Sequence, residues 1–174
     1  MPYFFTPQLG FPLKNYQANS YKFKQRCSYF GQDWGIHLGE DINCSQGTPV
    51  LSIGRGKVVY SALHAGSATK PNWGNIIIVA HKKPSTKKVF FSLYAHLAKR
   101  LVEKGEKIEA GQKIGIVGKK NTPANGWWSD EHLHFAVYTG SWQGKVLPGY
   151  WKANSARTKL KDWHSPSEFI KKYA

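Results

Sequence analysis

Ser129-Asp130-Glu131-His132-Leu133-His134-Phe135-Ala136-Val137-Tyr138 decides how the rest of the chain reads. Two histidines two residues apart, running into Phe-Ala-Val-Tyr, predict a β-strand. Side chains at i and i+2 leave a strand on the same face. His132 and His134 therefore point into one space, and Leu133, Phe135 and Val137 into the apolar space opposite. An imidazole pair on a polar strand face suits a metal site, because neutral imidazole nitrogen is a common zinc ligand. An isolated His-x-His fits equally well as two partly exposed histidines on a solvated strand, so the decision falls to the rest of the chain.

Upstream, Gly35-Ile36-His37-Leu38-Gly39-Glu40-Asp41-Ile42 carries a histidine and a carboxylate four residues apart. That spacing matches one face of a helix. Gly35 and Gly39 instead favour a turn leading into a strand, where glycine lets the backbone bend until both side chains converge. With His134 these make three nitrogen and oxygen ligands. A tetrahedral zinc held by three protein ligands keeps one position for water, and lowers the pKa of that water toward about 7. His96, in Ser92-Leu93-Tyr94-Ala95-His96-Leu97, and His132 remain. On an apolar strand a lone histidine is ordinarily a buried, hydrogen-bonded side chain. Beside such a metal it would be a general base or an oxyanion partner.

Composition narrows the class. The chain has 174 residues, enough for one domain with a core, and 41% hydrophobic against 20% charged residues excludes a disordered chain. Aromatics at 14%, with 17 glycines and 9 prolines, favour many short strands joined by tight turns. The formal net charge of +15 predicts attraction to polyanions such as nucleic acid, an anionic membrane face or an acidic cell wall. The lysines are dispersed over loops and tail, and there is no aromatic RNA-reading signature, so no specific nucleic-acid motif is present. No basic segment followed by an apolar one opens the chain as a signal peptide would. Ile76-Ile77-Ile78-Val79-Ala80 is too short to span a bilayer. Cys27 and Cys44 bracket 16 residues. A bridge there would contribute about 3 kcal/mol, and two free thiols are the alternative.

Along the chain, residues 1–26 lack periodicity and predict an extended arm laid over the core. Residues 27–150 hold the strands, and 151–174 form a basic tail with a short helix. Strands are expected at 49–53, 57–62, 75–81 and 89–96, with Asn75 to His81 buried on both faces. Lys82 to Lys88 forms a basic loop, and the glycines of Val102 to Gly118 sit where tight β-turns need them. Ser165-Pro166-Ser167-Glu168 predicts a helix start, with Ser165 as N-cap and Glu168 closing a capping box. His64, His81 and His164 fall in expected loops. The loop Lys119 to Asp130 ends at the His132 strand and carries Trp127 and Trp128, which would overhang the site as substrate-contacting aromatics.

These motifs, in this order, resemble the lysostaphin-type zinc metallopeptidases, which cut peptide bonds of peptidoglycan. The resemblance is carried by Gly35 to Ile42, Gly47-Thr48-Pro49-Val50, Gly56-Lys57-Val58-Val59-Tyr60, Trp73-Gly74-Asn75, Leu93 to Leu97, Val102 to Gly118 and His132-Leu133-His134-Phe135. It implies an all-β, antiparallel metallopeptidase fold of the duplicated-hybrid-motif type, with zinc at the floor of a groove. It implies zinc held by His37, Asp41 and His134, with His96 and His132 as non-ligand catalytic histidines. Tyr29 is the nearest upstream tyrosine to assist the transition state, and Asn75 joins Trp127 and Trp128 as a substrate-binding candidate. Peptidoglycan peptides and anionic wall polymers would be the partners, with action at the cell envelope. Two departures stand out. Ser129-Asp130-Glu131 replaces the usual Gly-Pro approach, and Ala136 stands where many members carry Glu, so the choice of scissile bond does not carry over. The alternatives are a non-catalytic wall-binding or activator module on the same fold, a basic nucleic-acid-binding domain, and a D-Ala-D-Ala-type peptidase.

Overall fold

Ile76, Ile78 and Ala80 face one apolar cluster, Ile77 and Val79 another, and all five are fully buried. This is the physical meaning of the aliphatic run: its strand sits inside the molecule with a core on each face. A computed structural model describes residues 6–29, 31–84, 86 and 88–174. Expectations for residues 1–5 of the arm, and for Ser85 and Lys87 of the basic loop, lie outside the described residues.

In chain order the strands are β1 Arg26–Tyr29, β2 Gln32–His37, β3 Glu40–Asn43, β4 Pro49–Leu51, β5 Gly56–His64 and β6 Gly74–Lys82. They continue with β7 Val89–Arg100, β8 Lys107–Ile108, β9 Lys113–Val117, β10 His132–Tyr138, β11 Tyr150–Trp151 and β12 Trp163–His164. Among the described residues one α-helix, α1 Pro166–Tyr173, follows β12. Among the described residues, nine strands form one sheet whose main path runs β12-β10-β7-β6-β5-β8, with β3 on β10 and β9 bridging β7 and β4. A smaller sheet, β1-β2-β11, lies apart from it. Among the described residues, every pairing of these strands is antiparallel. The all-β, antiparallel expectation with a short C-terminal helix holds.

Strand β10 is where the two cores divide. Leu133, Phe135 and Val137 enter one cluster, while Ala136 and Tyr138 enter the other. His132 and His134 share the second face, and it is buried rather than solvated, at 5% and 2% exposure. The alternation was legible; the burial was not.

The arm from Thr6 onward and the C-terminal segment both pack into this body. Leu9 and Leu13 are buried in the first cluster, and the Leu9 N–H donates to the Tyr173 carbonyl. Trp163, Phe169 and Ile170 are buried as well. The helix start differs from the expected capping box, for Ser165 makes no side-chain cap bond. The buried carboxylate of Glu40, on β3, takes that role: it accepts hydrogen bonds from the Ser167 N–H at 3.2 Å, Ser167 Oγ at 2.8 Å and Ser165 Oγ at 2.9 Å. Tyr16 Oη, from the N-terminal arm, donates to the same carboxylate at 2.6 Å. An anion at a helix N-terminus is favourable because the first N–H groups lack helical partners. A distant residue whose carboxylate is already anchored there displaces the local box.

His81 and His164 lie in strands rather than loops, and His64 ends β5. Both cysteines carry free thiols. Burial pushes each of them up to about 11, with Asp41 adding to the effect at Cys27.

Candidate metal centre and active site

Leu38-Gly39 joins β2 to β3, so His37 ends one strand and Asp41 is the second residue of the next. Gly39 is required by close approach: a Cβ there would fall 2.6 Å from the Phe135 carbonyl oxygen and 2.8 Å from His134 Nε2. With only hydrogen in that space, β3 lies against β10 with Asp41 directly opposite His134. Side chains opposite one another on an antiparallel pair share a face.

Three ligand atoms meet there. His134 Nδ1 lies 2.9 Å from Asp41 Oδ1 and 3.1 Å from His37 Nε2, and His37 Nε2 lies 3.3 Å from Asp41 Oδ1. Zinc bonds of about 2.0–2.1 Å at tetrahedral angles separate neighbouring ligand atoms by roughly 3.3 Å. The observed triangle is close to that size. His37 Nδ1–H donates to the Lys22 carbonyl at 3.1 Å, which leaves the Nε2 lone pair turned toward the triangle. His134 Nε2 is buried with no hydrogen-bond partner among the described residues, so nothing there competes for the role of Nδ1. The cluster of His37, Asp41 and His134 could hold a metal ion. Burial alone would raise the Asp41 pKa, but hydrogen bonds with His134 and His37 outweigh it and hold the carboxyl well below its usual range. The pKa of His134 is lowered by burial, against the pull of Asp41.

The other two histidines flank the triangle. His132 Nε2 lies 4.0 Å from Asp41 Oδ2, and the rings of His132 and His96 are 4.7 Å apart. His96 sits on β7 where the pairing shifts register, with φ of 65°, a left-handed backbone that bulky residues rarely adopt. Such a conformation costs about 1–3 kcal/mol and persists only where the surroundings enforce it. Here the His96 N–H donates to the Trp73 carbonyl, His96 Nδ1 approaches the same oxygen at 3.1 Å, and the Gly118 N–H donates to the His96 carbonyl. The neutral ring therefore keeps Nδ1–H on Trp73 and leaves Nε2 unprotonated. Burial, then His132 and His134, hold the His96 pKa well below its usual value.

The remaining candidates separate. Trp128 lines the cavity over the triangle, and its Nε1–H donates to the Asn72 carbonyl. Trp127 does not line it; it is half-buried with φ of 66°. Asn75 does not line it either. Its amide donates to the Leu97 and Ala98 carbonyls and accepts from Arg100 Nε, so it secures the bend that follows His96. Tyr29 lies behind the wall, against Trp34 and Trp128 at 5.4 and 5.6 Å between ring centres. Tyr21 and Tyr150 are the tyrosines lining the cavity. Tyr150, on β11, is the register partner of His37, with ring centres 5.6 Å apart. Burial, then the Asp41 carboxylate, raises its pKa. Sequence reasoning missed Tyr150, Trp34 and Trp73. Trp73-Gly74-Asn75 and the Trp34 position three before His37 offered a signal; Tyr150 offered none, because β11 is two residues long.

The sequence matches Peptidase family M23 over residues 35–146. Peptidoglycan DD-endopeptidase ShyB of Vibrio cholerae is 37% identical over 101 residues, a stretch covering 58% of this chain and 20% of that protein. Murein hydrolase activator NlpD of Escherichia coli is 34% identical over 108 residues, covering 62% and 24%. The matched stretch thus spans about a fifth to a quarter of the length of these curated relatives. Among solved structures, the catalytic domain of the antimicrobial peptidase lysostaphin from Staphylococcus simulans aligns with a TM-score of 0.57 at 26% identity, covering 87% of this chain and 90% of that one.

Proposed function

The chain belongs to peptidase family M23, and from that premise we propose that it is a zinc-dependent endopeptidase hydrolysing peptide bonds of bacterial peptidoglycan, in a cross-bridge or a stem peptide. The observation that carries this reading is the triangle of His37 Nε2, Asp41 Oδ1 and His134 Nδ1, with edges of 2.9 to 3.3 Å, beside two histidines that are not part of it. His37, Asp41 and His134 would hold the zinc, which supplies a Lewis acid that activates water and polarises the scissile carbonyl.

The protein's own groups do the rest. His96, neutral and anchored through Nδ1–H, accepts a proton at Nε2. His132, beside the Asp41 carboxylate, donates a hydrogen bond to the oxygen on which charge develops. Tyr150 stands closer to the triangle than Tyr29 and takes the hydroxyl role expected of that residue. Trp73 and Trp128 cover the His96 ring and exclude water from it, which strengthens each polar contact inside. Peptidoglycan as substrate implies action at the cell envelope, with the +15 surface drawing the protein to anionic wall polymers.

The test is mass spectrometry of fragments released from several purified peptidoglycans by the zinc-loaded protein and by Asp41→Ala. New amino and carboxyl termini with the first only would support the reading. The likeness to an activator favours a second one, a non-catalytic wall-binding or activator module. It would release no fragments alone while stimulating a separate wall hydrolase. The complete set of five polar residues, with Asp41, His96, His132 and His134 lining one cavity and His37 buried against Asp41 and His134, favours the enzyme.

A further inference from the structure

Main-chain hydrogen bonds tie two of the three metal-set residues to one short stretch of the N-terminal arm. The His37 N–H donates to the Gln25 carbonyl at 2.8 Å, and the His37 carbonyl accepts from the Lys24 N–H at 3.0 Å. The Asp41 N–H donates to the Tyr21 carbonyl at 2.8 Å, and the Asp41 carbonyl accepts from the Ser20 N–H at 3.2 Å. A residue other than proline carries one main-chain donor and one acceptor. Both groups of His37 and both of Asp41 are therefore engaged by residues 20–25, which precede β1 and belong to no strand. The Lys22 carbonyl, from the same stretch, orients the His37 ring.

Between these contacts the stretch turns. The Gln25 N–H donates to the Lys22 carbonyl at 3.1 Å, and Lys24, the third residue of that turn, has φ of 65°. A type II turn requires a positive φ at this place, which glycine adopts without strain. The turn carries the chain from the Asp41 contacts to the His37 contacts, so one segment spans both residues. Its side chains hold it little: Tyr21, Lys22, Lys24 and Gln25 are exposed, and Ser20 and Phe23 are half-buried. A segment with few buried apolar contacts opens at less cost than the body beneath it. Opening it releases the backbones of His37 and Asp41, while pairing with β3 and β7 still holds His134.

We propose that residues 20–25 form a clasp on the metal set: zinc is held tightly only when the clasp is shut, and bound zinc keeps it shut. The inference rests on the metal site of the reading above and not on hydrolysis. These are positioning residues, which act through His37 and Asp41. Coupling of this kind is reciprocal. The factor by which an open clasp weakens zinc binding is the factor by which zinc disfavours opening.

Lys24→Pro and Lys24→Gly test this, because both remove the same side chain and differ in the backbone. Proline has no N–H for the His37 carbonyl and cannot adopt a φ of 65°; glycine keeps the N–H and suits that φ. Zinc affinity is read on the full chain by competition with a chromogenic chelator, with circular dichroism to identify folded variants. Lys24→Pro should bind zinc about tenfold more weakly or worse, the scale of losing a group that orients a metal ligand, and Lys24→Gly should stay within about twofold of the wild type. A turn with only a structural role would lower the melting temperature of metal-free Lys24→Pro and leave zinc affinity alone. If Lys24→Pro does not fold, hydrogen exchange on the wild type decides. Saturating zinc should slow exchange of the Ser20 and Lys24 amides about tenfold or more beyond any change at Glu106 and Gln112, turn amides that bond Glu103 and Glu109 instead of the metal set. A folded Lys24→Pro with wild-type zinc affinity, or arm amides indifferent to zinc, overturns the proposal. A wild type that binds no zinc removes the clasp and the peptidase reading together. The expected zinc and exchange differences without any peptide bond cut in purified peptidoglycan remove the peptidase reading alone and leave the clasp standing.

Discussion

Asp41 and His134 are register partners on β3 and β10, with Oδ1 and Nδ1 2.9 Å apart. Their separation is set by a backbone ladder rather than by flexible side chains. The third atom, His37 Nε2, arrives from a different sheet and is oriented by the Lys22 carbonyl.

The first prediction follows from that arrangement. The purified protein should bind about one zinc per chain. Asp41→Ala and His134→Ala should each lose metal and activity together. Elemental analysis after zinc loading and dialysis is the check; a wild type without zinc would remove the metal site. Chelation should also lower the melting temperature, because metal held only by the folded state adds to its stability.

His96→Ala and His132→Ala should behave differently. Both should retain zinc, and each should lose activity by about a hundredfold or more, the usual scale for proton-transfer and oxyanion groups. Zinc content and turnover measured on the same preparations decide it. A His132→Ala protein without metal would make His132 a ligand instead.

His81 sets an acid limit on stability. It is fully buried on β6; Nδ1–H donates to the Arg55 carbonyl, and Nε2 pairs with Ser92 Oγ at 2.7 Å. Burial lowers its pKa from 6.5 to about 4. The unfolded chain takes up this proton as pH falls below 6.5, and the folded chain only near 4. The stabilising contribution is therefore present above 6.5 and lost as pH falls through that window, about 3 kcal/mol in all. Denaturant titrations of wild type and His81→Gln at several pH values test this. The stability gap between the two should narrow as pH drops from 7 toward about 4; a constant gap would contradict it.

Glu40 should matter to folding as much as a core residue. Its buried carboxylate gathers the arm through Tyr16 and the helix through Ser165 and Ser167, one residue before Asp41. Glu40→Ala leaves those donors unsatisfied and should cost about 2–4 kcal/mol. Denaturant midpoints report the loss, and Glu40→Gln, which keeps an acceptor oxygen, should recover part of it. An Ala variant as stable as the wild type would show that the hub contributes nothing.

Retention on purified cell walls should weaken as salt rises. A +15 chain bound mainly by charge is screened beyond about 10 Å at 0.1 M salt. Co-sedimentation across a salt series measures it, and equal retention throughout would show that contact with the wall is not electrostatic.

Local pattern determined much of this protein. Alternation along 132–138 assigned Leu133, Phe135 and Val137 to one core and the histidines to the other face. The unbroken run at 76–80 marked a strand buried on both sides. Both follow from the two-residue period of a strand, which needs no knowledge of its neighbours. Glycines at 35 and 39 argued for a turn at His37–Asp41 for an equally local reason. What surrounds those histidines depended on pairings between segments far apart in the chain. Tyr150 reaches the site because a two-residue strand pairs with His37. Trp34 and Trp128 meet only when β2 and the 119–131 loop face each other. Asn75 is drawn away from the cavity by a bend 22 residues later at Leu97. Glu40 overrides a local capping box because burial obliges its carboxylate to find several donors at once. Period and turn chemistry act between near neighbours; register, burial and the satisfaction of buried polar groups act through space, and only the folded chain decides them.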